Sequence, residues 1–218
     1  MTQPKADGFF VVFEGGEGSG KSTQVQELAA RLRSLGYQVV TTREPGGTPI
    51  AEQIRALVLA HHNAEMGARC EALLFAAARA EHVEKTIRPA LERGAVVISD
   101  RFVESSIAYQ GAGRGLGMTD VADVSAWAIQ GVQPDLTILL DVAPEIGLAR
   151  AQDPNRLEAE SLTFHLTLRA ALLELAKADP SSHVIVAGQQ SQEQVAEQIW
   201  AATQARLPSP SESVVNAQ

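Results

Sequence analysis

Cysteine is almost missing from this chain of 218 residues: Cys70 stands alone. A lone thiol closes no internal disulfide, which excludes a cystine-stapled scaffold and predicts a reducing, cytoplasmic setting. Positive charge is also short. Lys and Arg number 18 against 26 Asp and Glu, a formal net charge of −8, whereas a dedicated nucleic-acid binder carries a basic footprint. No apolar stretch is long enough to span a bilayer, so no membrane partner is expected. Met1 to Gly8 is polar and lacks the pattern of a secretory leader. Internal repeats and linkers are absent too, which predicts one domain over residues 1–207. The Ser/Pro-rich tail over 208–218 reads as disordered.

What is present is concentrated near the start. Gly15-Gly16-Glu17-Gly18-Ser19-Gly20-Lys21-Ser22 follows the apolar run Phe9–Phe13 and precedes a helix-patterned stretch from Thr23. This is G-x-x-x-x-G-K-[ST], the phosphate-binding loop, in its strand–loop–helix setting. Glycines let successive backbone N–H groups turn inward around phosphate oxygens, and the helix N-terminus adds partial positive charge. The pattern assigns Gly15 to Thr23 to a nucleoside triphosphate, with Lys21 on its β- and γ-phosphates. Ser22 is expected in the shell of an accompanying Mg²⁺.

The rest alternates strand and helix. Residues 9–14, 38–42, 95–100, 136–141 and 183–186 read as strands, the continuous apolar run at 9–14 as one buried on both faces. Helices are expected over about 23–35, 49–59, 69–93 (bent or broken before Pro89), 119–130 (capped by Thr119), 144–151, 158–178 and 192–206. Five strands so interleaved predict an α/β fold with a parallel sheet. In such a sheet ligands sit at the carboxyl ends of the strands. Asp100, ending the third strand, is a candidate Walker-B acid that orders Mg²⁺. Asp141, ending the fourth, reads as part of a helix start. Arg43, Arg79 and Arg101 lie on separate elements; guanidinium forks suit a second phosphate group, so three of them converging on a triphosphate loop point to a phosphorylated acceptor.

These strings together resemble the thymidylate kinase (dTMP kinase) family over nearly the whole chain. The match rests on Phe13-Glu14-Gly15 with its loop, Thr42-Arg43-Glu44-Pro45-Gly46-Gly47-Thr48, Leu74-Phe75-Ala76-Ala77-Ala78-Arg79, Asp100-Arg101-Phe102, Ala108-Tyr109-Gln110-Gly111 with Gly113-Arg114-Gly115, and Pro134-Asp135-Leu136. The resemblance implies a P-loop nucleoside monophosphate kinase with a short lid. Its activity would be transfer of the ATP γ-phosphoryl to dTMP, giving dTDP for dTTP biosynthesis, with Mg²⁺ as cofactor, in a homodimer. By the same analogy Phe75 stacks on thymine, Arg79 and Gln110 bond its edge, and Ser106 lies near it. Arg43 and Arg101 hold the acceptor phosphate, Glu44, Pro45 and Arg55 line the same site, Tyr109 packs on the deoxyribose and Glu17 meets its 3′-hydroxyl. Phe75 and Arg79, four apart, would share a helix face.

Some members of the family place an arginine in the loop, where this chain has Gly18; others supply basic residues from the segment after the fourth strand. Here residues 151–168 hold one arginine, Arg156, besides the titratable His165. Arg156 is therefore the candidate transition-state arginine in a lid over about 150–168, and Arg150 the candidate ATP contact. Lys21, Arg43, Arg101, Arg156 and Glu17 form the expected catalytic set. A monophosphate kinase for another base stays open at this point. A GTPase is disfavoured because the nearest approach to its base-reading string, Ala176-Lys177-Ala178-Asp179, lacks the first residue.

Overall fold

Strand β1 (Phe9–Glu14) is buried along its full length, and period-two alternation divides it between two cores. Phe9, Val11 and Phe13 pack on one side with helix α1 (Lys21–Ser34) and helix α9 (Gln192–Gln204); Phe10 and Val12 pack on the other with Ile87, Leu91, Phe102 and Ile129. An apolar run with no polar face has to be covered on both sides, which is why β1 is central. The computed structural model describes residues 8–150 and 155–208. The expectations for the remainder of the tail and for Ala151 lie outside the described residues. Pro208 itself accepts a hydrogen bond from Tyr37 Oη at 3.0 Å.

The sheet is parallel throughout, in the order β2-β3-β1-β4-β5, with β2 at Val39–Arg43, β3 at Val96–Asp100, β4 at Leu136–Asp141 and β5 at His183–Ala187. This is the expected five-stranded α/β architecture. The chain winds to one side of β1 through β2 and β3 and to the other through β4 and β5. A crevice therefore opens at the carboxyl end of β1, the general ligand position in such sheets. Register places Phe13 beside Asp100 and Arg43 beside Asp100, so the ends of three strands meet there.

Helix boundaries depart from expectation in ways that matter for the site. Helix α2 (Pro49–Leu59) starts on Thr48, whose side chain accepts from Ala51 N. The long segment is α3 (Ala68–His82), a wide π-type turn at Val83–Ile87 and α4 (Arg88–Glu92). The break thus falls before Pro89, as expected, because a proline removes the hydrogen bond to the preceding turn. Helix α5 (Val103–Ser106) and the π-type turn Ile107–Gly113 are additions that periodicity did not disclose. Helix α6 (Met118–Ile129) begins on Gly117 with φ +96°, not on a Thr119 cap. After α7 (Pro144–Arg150), helix α8 (Leu162–Ala178) starts four residues later than the pattern suggests. Ser161 caps it at Phe164 N, while the Asn155 side chain accepts from Leu157 N and Glu158 N and holds that stretch in a turn.

Candidate active site

The phosphate loop bridges β1 and α1. Gly15, Gly18 and Gly20 take φ of +144°, +62° and +92°, which side-chain-bearing residues rarely adopt. Lys21 closes the loop from below: its Nζ donates to Gly16 O at 2.8 Å and Gly15 O at 3.1 Å. Burial pushes the Lys21 pKa down, reinforced by Arg101 and opposed by Asp100 and Glu17. The far side of the loop lies against α7. A Cβ on Gly18 would come 2.1 Å from Gly147 O, and one on Gly147 2.1 Å from Glu17 O. At the edge of that contact, Arg150 Nη1 donates to Gly18 O at 3.1 Å.

Ser22 Oγ donates to Asp100 Oδ2 at 3.0 Å, joining the first turn of α1 to the end of β3. Two hard oxygen ligands beside a phosphate loop are a donor set that suits Mg²⁺ completed by phosphate oxygens and water.

Loop and strand ends open into a cleft of about 460 Å³. Its walls bring together Glu17 to Thr23, Arg43, Glu44, Pro45, Arg55, Phe75, Asp100, Arg101, Ser106, Tyr109 and Gln110, all of them candidates from the sequence. Arg101 stands at the centre. Its backbone is left-handed at φ +74°, a strained state for a non-glycine residue that the N–H bond to Phe13 O, at 2.8 Å, helps to hold. Its guanidinium spans Gly15 O, Ser105 Oγ and the Glu17 carboxylate and lies 5.2 Å from the Tyr109 ring centre. Tyr109 Oη donates to the same Glu17 carboxylate at 3.0 Å. Burial alone would raise the Glu17 pKa, yet Arg101, Lys21 and the Tyr109 hydroxyl hold it at about 2. Burial also lifts the Tyr109 phenol above its ordinary range, so it stays a donor.

Arg43 and Arg55 supply further positive charge to the cleft. Arg43 Nη2 pairs with Glu52 at 3.2 Å, and Arg55 Nη1 donates to Pro45 O at 2.9 Å. The Glu44–Pro45 peptide bond is cis. Burial and the neighbouring Arg43 charge lower the Arg55 pKa. Arg55, an ordinary residue in an amphipathic helix by pattern, has no independent sequence signal; only the fold turns it inward.

Two expected ligand contacts are placed elsewhere. Arg79 does not line the cleft. It is 1% exposed and gives Nε to Glu44 Oε2 at 2.7 Å, Nη1 to Ser125 Oγ at 3.2 Å, and Nη2 to Phe102 O and Ser106 Oγ, each at 3.0 Å. Four of its five N–H groups are committed to the wall behind the cleft. Arg156, the expected transition-state arginine, is also turned away. It donates to Val58 O at 2.7 Å and to Glu71 Oε2 at 2.6 Å, while its neighbours Asn155, Leu157 and Glu158 line the cleft. The reason is electrostatic: Glu71 is 1% exposed and needs cations. Burial would raise its pKa, but donors from Gln110, Arg114 and Arg156 hold it below the ordinary carboxylate value. Asp141 likewise is no helix start; Arg169 grips it at two points, 2.6 and 2.9 Å.

Glu14, beneath the loop, accepts from Phe102 N at 2.9 Å and from Ser105 N and Oγ at 3.1 and 2.6 Å. Burial, then the Glu104 charge, raises its pKa from 4.5 to about 7. The folded state therefore binds this proton more tightly than the unfolded chain. Its contribution to stability is present below pH 4.5 and is lost as pH rises to about 7. Glu14→Gln keeps an acceptor for Phe102 and Ser105 without the charge. It is expected to lie within about 1 kcal/mol of the parent at pH 5 and to exceed it by about 3 kcal/mol at pH 8 in urea titrations. Equal stabilities at both pH values would refute the raised pKa.

A triphosphate loop and an arginine-lined pocket facing each other across one cleft define a P-loop kinase, built to bring a nucleotide against a phosphorylated acceptor. The family model described as Thymidylate kinase matches residues 13–199. The thymidylate kinase of Clavibacter sepedonicus is 49% identical over 89% of this chain and 93% of its own length, and that of Lactobacillus acidophilus 45% identical over 92% and 96%. The crystal structure of thymidylate kinase from Ehrlichia chaffeensis superposes with a TM-score of 0.74 at 32% identity, covering 89% of this chain and 97% of that one. The chain belongs to the thymidylate kinase family.

Proposed function

We propose that this protein transfers the γ-phosphoryl of ATP to the phosphate of dTMP, yielding ADP and dTDP in the cytoplasm. The observation that carries the reading is that Lys21 and its loop share one cleft with Arg43, Arg55 and Arg101, so donor and acceptor phosphates meet without an intermediate. An oxygen of the acceptor phosphate attacks the γ-phosphorus, and the bond to the ADP oxygen breaks. The attacking oxygen is already anionic, so no strong general base is needed, and positioning with charge neutralisation does most of the work.

Each residue then has a task. The loop N–H groups and Lys21 hold the donor phosphates, and Arg150, at the loop's outer edge, contacts ATP. Ser22 and Asp100 would hold Mg²⁺, which neutralises charge on the phosphates. Arg43, Arg55 and Arg101 grip the acceptor phosphate. Glu17, ionised, accepts from the 3′-hydroxyl, Tyr109 closes on the sugar face and Phe75 stacks on the base, a contact of about 1–3 kcal/mol. Arg79 holds Glu44 and Ser106 in place rather than touching the base. The exposed apolar side chains Ile50, Leu57, Leu73 and Trp127 lie on α2, α3 and α6, which pack side by side, and they support a homodimer; sedimentation at micromolar concentration tests it.

The deciding experiment is ADP release with ATP and a panel of nucleoside monophosphates. dTMP is expected to be the best acceptor, with the ribose analogue of the same base weaker because a 2′-hydroxyl crowds Tyr109. No turnover of dTMP would sink the proposal.

A further inference from the structure

Gln110 lies on the π-type turn Ile107–Gly113, lines the nucleoside end of the cleft and is 1% exposed. A side-chain amide can present a donor or an acceptor, and a half-turn of the group exchanges them. Here one side is committed. Its Nε2 donates to Glu71 Oε1 at 2.9 Å, and its Oε1 is buried without a partner. A carboxylate only accepts, so Glu71 cannot satisfy the amide in the opposite sense. Nor is Glu71 free to swing aside: Arg156 Nη2 holds Oε2 at 2.6 Å, and Arg114 Nε and Nη2 reach its two oxygens at 3.2 and 3.3 Å. A buried acceptor without a donor is destabilising, and a ligand N–H that reaches it removes that cost.

We infer that Glu71 is a positioning residue for base selection. By taking the Gln110 N–H it leaves Gln110 only its acceptor to offer a ligand, which suits a pyrimidine whose ring N3 carries hydrogen, as in thymine, and disfavours one whose N3 is a bare acceptor, as in cytosine. The inference deepens the proposed function and rests on its placing the base against Gln110. Arg156, through its 2.6 Å bond to Oε2, serves it by pinning the carboxylate. The consequence is a selectivity filter whose decisive charge is set behind the wall, out of reach of the ligand.

The test is kcat/KM for dTMP and dCMP in the parent, Glu71→Gln and Arg114→Gln. The glutamine at 71 can donate to Gln110 Oε1 and allows the turned amide. The dTMP:dCMP ratio is then expected to fall by about tenfold or more, the scale of one buried hydrogen bond. Arg114→Gln leaves the carboxylate and its 2.6 Å bond from Arg156 in place and is expected to hold the ratio within about twofold. Equal losses on both substrates in Glu71→Gln, or the same fall of ratio in Arg114→Gln, would overturn the inference. Should Glu71→Gln fail to fold, Gln110→Leu removes the amide altogether, and an undiminished preference for dTMP there overturns it as well. A parent enzyme that turns over dTMP and dCMP equally refutes the placement of the base at Gln110, a failure distinct from a parent that discriminates and an unaltered ratio in Glu71→Gln.

Discussion

Arg101→Ala is expected to lower kcat/KM for dTMP by about 10³-fold, the scale set by losing one preorganised cation or donor at a transferring phosphoryl group. The guanidinium sits between the loop carbonyl of Gly15 and the Glu17 carboxylate, so its loss affects both halves of the reaction. The acceptor phosphate loses its central fork, and Glu17 loses the largest influence that keeps it ionised despite burial. The second effect has its own signature. Parent Glu17, at about 2, stays charged across the working range and gives no acid limb. In Arg101→Ala burial dominates, the Glu17 pKa rises, and activity is expected to fall more steeply toward acid pH than the parent's does. Arg101→Lys restores charge without the planar fork and recovers only part of the rate. Steady-state kinetics across pH 5 to 8 check both claims; a variant within about tenfold of the parent, with a parallel pH profile, would remove Arg101 from the chemistry.

Arg79→Met acts on a different link, stability. Glu44 has 3% of its side chain exposed and is held by Arg79 Nε at 2.7 Å and His82 Nδ1 at 3.0 Å. Taking away one partner of a buried pair costs about 3–5 kcal/mol, because a carboxylate is left uncompensated in a low-dielectric wall. Ser106, Ser125 and the Phe102 carbonyl lose donors in the same step. Against a total of about 5–15 kcal/mol for an ordinary fold, the urea midpoint drops sharply and the Tm falls by about 10 °C. Adding Glu44→Gln is expected to recover part of the loss, since the stranded charge goes with its partner. Because Glu44 and Ser106 line the cleft, KM for dTMP rises more than kcat falls. A Tm unchanged to within about 2 °C would contradict the burial argument.

The two arginines also show what a sequence can disclose. Arg101 was legible because its neighbourhood is local: an apolar strand runs into Asp100, and Arg101 follows at once at the strand's carboxyl end. The five strands were legible for the same reason, as short, mostly apolar runs alternating with helical patterns. Arg79 was legible as important but not as buried. Its partners Glu44, Phe102, Ser106 and Ser125 come from four other places along the chain, and no periodicity links them. Arg156 misled through its isolation. As the one arginine of its segment it invites a catalytic role, while the carboxylate that claims it, Glu71, stands 85 residues away in the chain. The turn carrying Tyr109 and Gln110 was hidden because Ala-Tyr-Gln-Gly reads as the end of an element, whereas tertiary packing extends α5 through a wide turn instead.

The contact between Gly18 and Gly147 bears on how such an enzyme could be rebuilt. Each position would thrust a side chain into backbone 2.1 Å away, and no rotamer relieves a clash at Cβ. Grafting an arginine from other family members into the loop at 18 would therefore displace α7, and with it Arg150 from the loop's edge. One source of charge would be traded for another. Transplants between the two designs would have to carry loop and helix together, as a single cassette.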